Sequence, residues 1–475
     1  MALKYSPESV GIAQLAGSCD GVGSIALNSN NAILSRIRAS IEAVVTWHVI
    51  ESQKEVLAEQ NVMLLNTYQT EMKSISCLTQ MELIGLRIDK CEMNKLITTI
   101  QEQMGVLQQQ AFTYAGRRFS FTSSNDVAKV IGIYRGKRVS TNKQTLEQNE
   151  SPISNLVLQW RKLSCTLTKM LFPIMRSITN DRIHGCSVTH TSTGRITMHE
   201  PNLQNVPRNF QVHKSDGSVV SVSVRGTLIP TAGKVFLSAD YCQLELRLLA
   251  HLAQDSVLCN IMRIGNDVFK LIAANLNKVP ESEVTDALRQ RAKQLCYGII
   301  YGMGTKALAE QLGSSEEEAA EFMVSFKNTY PTIQSYIQRV IELCRENGYV
   351  ETLAGRRRYL PHITNSDPAT RSQAERQAVN TTVQGSAADI AKQAMVSVDL
   401  KLRDFFPSQE DPNKSRVALV LHLHDELMYE VPIKDLKPVT KIVKCAMEQA
   451  VKLSIPFPVK LKSGPSWGQL QEIII

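Results

Sequence analysis

No run of about 18 apolar residues occurs anywhere in the 475-residue chain, so no segment of it is built to cross a membrane as a helix. The first residues, MALKYSPESVGIAQ, lack the basic stretch and apolar core of a secretory leader. The ten cysteines are scattered and form no CxxC pair. That argues against a zinc site and a disulfide framework, and for free thiols in a reducing compartment. Internal repeats and low-complexity tracts are lacking too, which excludes a repeat array.

What remains is a chain with 43% apolar content, enough for one large body of several subdomains or about three domains. Its net charge is +8 and its pI about 8.9. A basic balance suits a polyanionic partner but does not by itself identify one. Residues 31–110 read as helical, with Leu34, Ile37, Ile41, Val44, Val45 and His48 at helical spacing and a second run from Met81 to Met104 that Gly85 interrupts. Residues 116–150 read as a loop-rich tip with GKR at 136–138 as its basic centre. A helix is expected from Pro152 to about Ile178, capped by Ser151. Short strands follow, ending in a compact strand Val235–Asp240 and a helix from Gln243. Helices dominate from about Asp267 to Asn347. A hairpin is expected around Gly355, then a long helix from Pro368 to Leu402. Two strands, Val417–Leu421 and Leu427–Val431, flank His424-Asp425-Glu426. A helix over 435–453 and a strand over 457–462 close the chain. The fold class is α+β, helix-rich.

Asp240 ends an apolar strand and Asp425 sits where another strand turns back. Two carboxylates presented in this way can share two magnesium ions about 3.5–4 Å apart, one activating a hydroxyl and one neutralising a leaving pyrophosphate. Magnesium usually keeps substrate phosphates in its shell, so two protein carboxylates can suffice. Taken alone, an aspartate after a strand is more often a turn or cap residue. The segment LRQRAKQLCYGIIYGMG adds the needed context: Arg289, Lys293, Tyr297 and Tyr301 recur at i, i+4 spacing and share one helix face. Two cations followed by two aromatics suit a nucleoside triphosphate laid along a helix. Gly298 and Gly302 would let backbone approach something bulky. The competing reading is a solvated basic turn running into a buried aromatic stripe.

At this point the chain resembles the family A DNA polymerases. Asp240-Tyr241-Cys242-Gln243-Leu244-Glu245-Leu246-Arg247 is similar to their motif A. Arg289, Lys293, Tyr297, Tyr301 and Gly302 resemble motif B, and His424-Asp425-Glu426 motif C. TGRITMHEPNLQNVPR (193–208) and AERQAVNTTVQGSAADI (374–390) resemble two further blocks, all in the family's order across about 71–475. The resemblance implies a right hand of palm, fingers and thumb: 71–190 thumb, 191–247 and 384–475 palm, 248–383 fingers, with 1–70 a helical remnant of an exonuclease-like domain.

It also implies roles. Asp240, Asp425 and the carbonyl of Tyr241 would hold two Mg2+, with Glu426 assisting or merely solvated nearby. Arg289 and Lys293 would bind triphosphate, Lys293 also acting as general acid. Glu245 would be a steric gate against a 2′-hydroxyl, with Tyr297, Tyr301, Gln243 and Tyr241 completing the deoxynucleotide (dNTP) site. Arg195, Asn202, Gln204, Asn205, Gln384 and His424 would line the primer–template minor groove, where every base pair offers an acceptor. Arg376 and Asn380 would face template or active site, although for Asn380 helix packing is as good a reading. PNLQNVPR, QLCYGIIYGMG, GRRRYLP and SWG set the chain in a branch of the family that usually carries insertions. The matching regions here, about 132–145, 209–227 and 407–415, are short. Phe269 stands where many relatives have histidine, as in that branch.

The resemblance further implies a monomeric polymerase domain of a larger nuclear protein, acting on primer–template DNA in repair, through end joining or translesion synthesis. About 70 residues precede the matching region and hold no DxE followed by YxxxD, so no proofreading is expected. Arg117, Arg118, Lys137 and Arg138, and Arg356 to Arg358, would add grip on DNA or are solvated charges. The rival readings are a single-subunit RNA polymerase, against which Glu245 argues, and a catalytically inactive nucleic-acid-binding relic.

Overall fold

In the computed structural model the described residues are 35–60, 62–134, 136, 139–213, 219–264, 267–408 and 415–473. They fall into two compact units, one that takes in 35–72 with 351–357 and the other the remainder.

The first unit contains the helix Ser35–Gln60 and the start of the helix Val62–Ile84. The periodic run does form a helix, yet Ile37 and Val44 are nearly half exposed (48% and 44%), while Val49 is buried. Periodicity located the element but not its packed face. The hairpin turn centres on Gly355 as expected. Gly355 lies at φ +79°, and a Cβ there would meet Met63 at 3.2 Å, so only glycine fits without strain.

The second unit is organised by a five-stranded antiparallel sheet. Its strands are β1 (Lys234–Tyr241), β2 (Ala418–Leu423), β3 (Glu426–Pro432), β4 (Val459–Gly464) and β5 (Gln471–Glu472), in the order β2-β3-β1-β4-β5. Six helices bear on the site: α1 (Leu244–Ala253), α2 (Val268–Asn277), α3 (Asp286–Ile300), α4 (Pro368–Asn380), α5 (Ser386–Phe405) and α6 (Leu436–Glu448). Alternation along β1 divides its side chains between two faces. Leu237, Ala239 and Tyr241 turn to α6, where the Tyr241 hydroxyl donates to the Met447 carbonyl at 2.6 Å. Ser238 and Asp240 take the opposite face. Phe236 to Ala239 are buried, and at the C-terminal end of the central strand Asp240 is exposed.

The chain then turns sharply. Gln243 adopts a left-handed conformation (φ +49°) before α1 begins. Arg247 fastens this turn from below: it is 2% exposed and donates to the carbonyls of Cys242 (3.0 Å), Met262 (2.8 Å) and Pro456 (2.9 Å). A buried guanidinium is tolerable because those carbonyls satisfy it.

Several expected boundaries shift. Ser151 makes no side-chain cap. Asn149 instead ties the chain entering the helix, its Oδ1 accepting from Ser151 N (3.0 Å) and Ser154 Oγ (2.8 Å). The helix expected over 152–178 is Pro152–Thr166, a π turn at Leu167–Leu171 and Phe172–Arg176. The long helix from Pro368 is likewise interrupted by a π turn at Thr381–Gly385, which holds Gln384 in the interior. The helix expected over 435–453 stops at Glu448. The nine described cysteines are free, and among the described residues no helix is long and apolar enough to cross a membrane.

Candidate active site

Strand register brings the carboxylates together. Asp240 pairs with Glu426 across β1 and β3, and with Lys460 across β1 and β4. The turn at His424 (φ +58°) sets Asp425 beside the end of β1, where Tyr241 N donates to the Asp425 carbonyl at 3.4 Å. Burial, then the nearby Asp425 and Glu426, push the Asp240 carboxyl up to about 8. Asp240 stays open to the cleft, so water moderates this shift. Burial chiefly, with Glu245 adding, pushes Asp425 up to about 6. Glu426 is not a solvated bystander: its Oε1 accepts from Ser238 Oγ at 2.6 Å, holding it to the sheet. The Tyr241 phenol is committed to α6, leaving only its backbone near the pair.

Crowded anions that raise one another's pKa are a site for a cation. Among the described residues no group of three or more His, Cys, Asp or Glu side chains could hold a metal ion. Two carboxylates fit a hard cation that completes its shell with substrate phosphates.

The helix α3 is capped by Thr285, whose hydroxyl accepts from Leu288 N at 3.3 Å. Arg289 is half-buried and its Nε donates to Asp267 Oδ2 at 2.5 Å. Lys293 is exposed, 5.8 Å from the centre of the Phe269 ring. Phe269, Tyr297 and Tyr301 make an aromatic file, with ring centres 6.0 Å and 6.2 Å apart and the two tyrosines nearly parallel. The i, i+4 face is therefore real, although Tyr301 lies one residue past the helix end. Tyr301 donates to Glu245 Oε2 at 2.9 Å. Glu245 is 7% exposed, its other oxygen taken by Arg195. With its oxygen turned to Arg195, the Gln384 amide accepts from Nη1 at 2.6 Å. Glu245, Tyr301, Arg195 and Gln384 thus form one hydrogen-bonded cluster. Gly302 (φ +64°) lies against Arg376, whose Cγ would be 2.8 Å from a Cβ. Gly298 similarly faces Leu308 at 3.1 Å.

Several other expected residues have structural partners. Asn202 Oδ1 accepts from Gln204 N at 3.0 Å, and Gln204 Nε2 donates to the carbonyls of Ile196 and His422, each at 3.0 Å. These two hold their loop against β2, while Asn205 is exposed. Desolvation, then Arg195, hold the His424 imidazole below its ordinary pKa, so it is neutral near pH 7. Arg376 donates to Ser372 at 2.8 Å. Asn380 Oδ1 is buried with no partner among the described residues. Arg357 pairs with Glu351 at 2.7 Å, and Arg358 donates to Thr381 at 2.8 Å, so these two serve internal structure. Arg117 and Arg118 are exposed; Lys137 and Arg138 lie outside the described residues.

Two features escaped the sequence reading. Arg208, Arg225, Lys460 and Lys462 line a cleft that also contains Ser238, Asp240 and Glu426. The KLK alternation in VKLKSG put two lysines on one strand face, but only the register of β4 against β1 shows that this face is the one bearing Asp240. The second is Asp267, which holds Arg289 from 22 positions earlier in the chain.

A sequence profile described as "DNA polymerase family A" matches residues 90–469. The chain belongs to this family and carries its right-hand polymerase fold. It is 44% identical to DNA polymerase theta of Drosophila melanogaster across 100% of this chain and 23% of that protein, and 36% identical to DNA polymerase theta of Mus musculus across 95% and 22%. Similarity to DNA polymerase I of Bacillus caldotenax is 31% across 84% of this chain and 45% of that protein. The chain therefore spans under a quarter of the theta relatives and under half of that polymerase I. Among solved structures, "POL domain of Pol1 from M. smegmatis complex with DNA primer-template and dNTP" superposes with a TM-score of 0.80 at 27% identity, covering 97% of this chain and 81% of the other. The sequence blocks resemble DNA polymerase theta most, with DNA polymerase nu as the runner-up, and the relatives above fall on theta. The fly alignment runs 480 residues and the mouse alignment 562, so the mouse protein carries more residues between matched blocks than this chain does.

Proposed function

We propose that the chain is a template-directed DNA polymerase domain that adds deoxynucleotides to a primer 3′ end. The observation that carries this reading is the convergence of Asp240 and Asp425 at adjacent strand ends, facing a helix whose Tyr301 bonds Glu245. The sheet and its flanks (191–247 and 384–475) are the palm, 248–383 the fingers, 71–190 the thumb, and 1–70 a helical remnant.

Asp240, Asp425 and the Tyr241 carbonyl would hold two magnesium ions, which would supply a lowered pKa at the primer 3′-hydroxyl and charge neutralisation for the departing pyrophosphate. Arg289 and Lys293 bind the triphosphate, and Lys293 protonates the leaving group. Tyr297 packs against the sugar or base, with Gln243 nearby. Glu245 fills the space of a 2′-hydroxyl, its carboxylate fixed by Tyr301 and Arg195. Arg195, Gln384 and His424 face the minor groove; Asn202 and Gln204 shape that wall, and Asn205 and Arg376 reach DNA. Arg208, Lys460 and Lys462 receive primer phosphates beside Asp240. The domain serves a larger nuclear protein in DNA repair, and it does not proofread.

The experiment is extension of a labelled primer on a DNA template with Mg2+ and dNTP. Extension with dNTP and little with rNTP supports the reading. A chain that binds DNA but never extends would be a relic, and equal rNTP use would favour an RNA polymerase.

A further inference from the structure

Asp267 has no part in the roles above, yet it touches the proposed triphosphate face. Its Oδ1 accepts from Lys270 N at 3.2 Å and so caps α2, while Oδ2 accepts from Arg289 Nε at 2.5 Å. One carboxylate is thus fixed to the start of one helix and grips a guanidinium on another. Capping does not require the charge, since asparagine or serine caps as well. Stability hardly requires it either: the side chains of Arg289 and Asp267 are about a third exposed (31% and 36%), and pairs so open to water add little. What the charge does is hold an arginine, whose donors form a rigid planar fork. With Nε taken, the plane is set and both Nη groups remain for phosphate oxygens.

We propose that Asp267 is a positioning residue for the incoming nucleotide: it aims Arg289 at the triphosphate and so sets dNTP affinity without touching the dNTP. This rests on the reading of α3 as the nucleotide helix. A carboxylate here could instead act as a competitor that must release Arg289 before phosphate binds. The geometry favours positioning, because Arg289 need not leave Asp267 to offer four N–H donors. Burial pushes the Asp267 carboxyl up, but the Arg289 bond and the backbone donors of α2 outweigh it and hold the group below its usual range. It is therefore ionised wherever the enzyme would work.

The test is dNTP-dependent primer extension by the full chain carrying Asp267→Asn, alone and with Arg289→Ala. Asparagine keeps the capping oxygen and puts an amide N–H2 where Oδ2 accepts. The expected result is a KM for dNTP raised on the order of tenfold, kcat changed by less than about threefold, and melting near wild type. In the Arg289→Ala background the second substitution should add nothing. An unchanged or lowered KM would overturn positioning. So would a KM that rises equally with and without Arg289, which would mark Asp267 as structural. If wild type itself failed to extend the primer, the polymerase reading would fall first, and this inference with it.

Discussion

Removing the Glu245 side chain separates two functions that one carboxylate combines. It is 7% exposed and bonded to Tyr301 and Arg195. In Glu245→Ala both partners lose their acceptor. Breaking a fully buried pair costs about 3–5 kcal/mol. The Arg195 side chain is 27% exposed and can recruit water, so roughly 1–3 kcal/mol of stability should be lost. The same truncation opens the volume that would meet a 2′-hydroxyl. Forcing one extra atom into filled space costs about 1–3 kcal/mol. Its relief should raise rNTP use relative to dNTP about five- to 150-fold, at 1.36 kcal/mol per factor of ten. Glu245→Gln keeps the volume and an acceptor for Tyr301 but drops the charge. The assay is kcat/KM for matched rNTP and dNTP in wild type and both variants. Alanine should relax selection and glutamine should retain most of it. Equal relaxation in both would refute a steric gate, and no change in either would place Glu245 away from the sugar.

Three further outcomes follow from the same site. Asp240 and Asp425 have folded-state pKa values raised to about 8 and about 6, above the unfolded carboxylate. The stability tied to them is full below about pH 4 and lost as pH rises through those values. Metal-free protein should therefore melt lower at pH 8 than at pH 5.5 from this source. Added Mg2+ should raise Tm more at pH 8, and Asp240→Asn should flatten the difference; an equal Mg2+ effect at both pH values would count against these ligands. Lys293→Ala should slow the chemical step in single-turnover kinetics by about 10²–10³-fold, as loss of one charge-stabilising donor does; Arg289→Ala should also weaken dNTP binding, and two unchanged variants would assign the helix elsewhere. Arg208→Ala with Lys462→Ala should reduce the slope of log K for primer–template against log salt by about 1–2, and an unaltered slope would remove these residues from the DNA path.

The sequence revealed what is local. Asp240 at a strand end, Asp425 in a turn and the i, i+4 file on α3 are spacing statements, and the folded chain keeps them. It could not reveal what register and tertiary contact decide. That Glu426 and Lys460 flank Asp240 depends on how β3 and β4 align with β1, and one residue of slip would reverse every face. The Asp267–Arg289 bond joins two helices whose packing no periodicity encodes. Ser151 looked like a cap because its type is right, but its side chain takes no first-turn N–H, and the Ser151 backbone N–H is itself held by Asn149. Gln384 was expected on a continuous helix, and the π turn around it is invisible to a 3.6-residue period.

The central claim, that Asp240 and Asp425 carry nucleotidyl transfer, is tested most directly by primer extension with Asp240→Ala and Asp425→Ala, alongside primer–template binding by fluorescence anisotropy. DNA affinity comes mostly from lysine and arginine contacts to phosphate. Extension should therefore vanish in both variants while the binding curves stay close to wild type. Extension near the wild-type rate in either variant would contradict it.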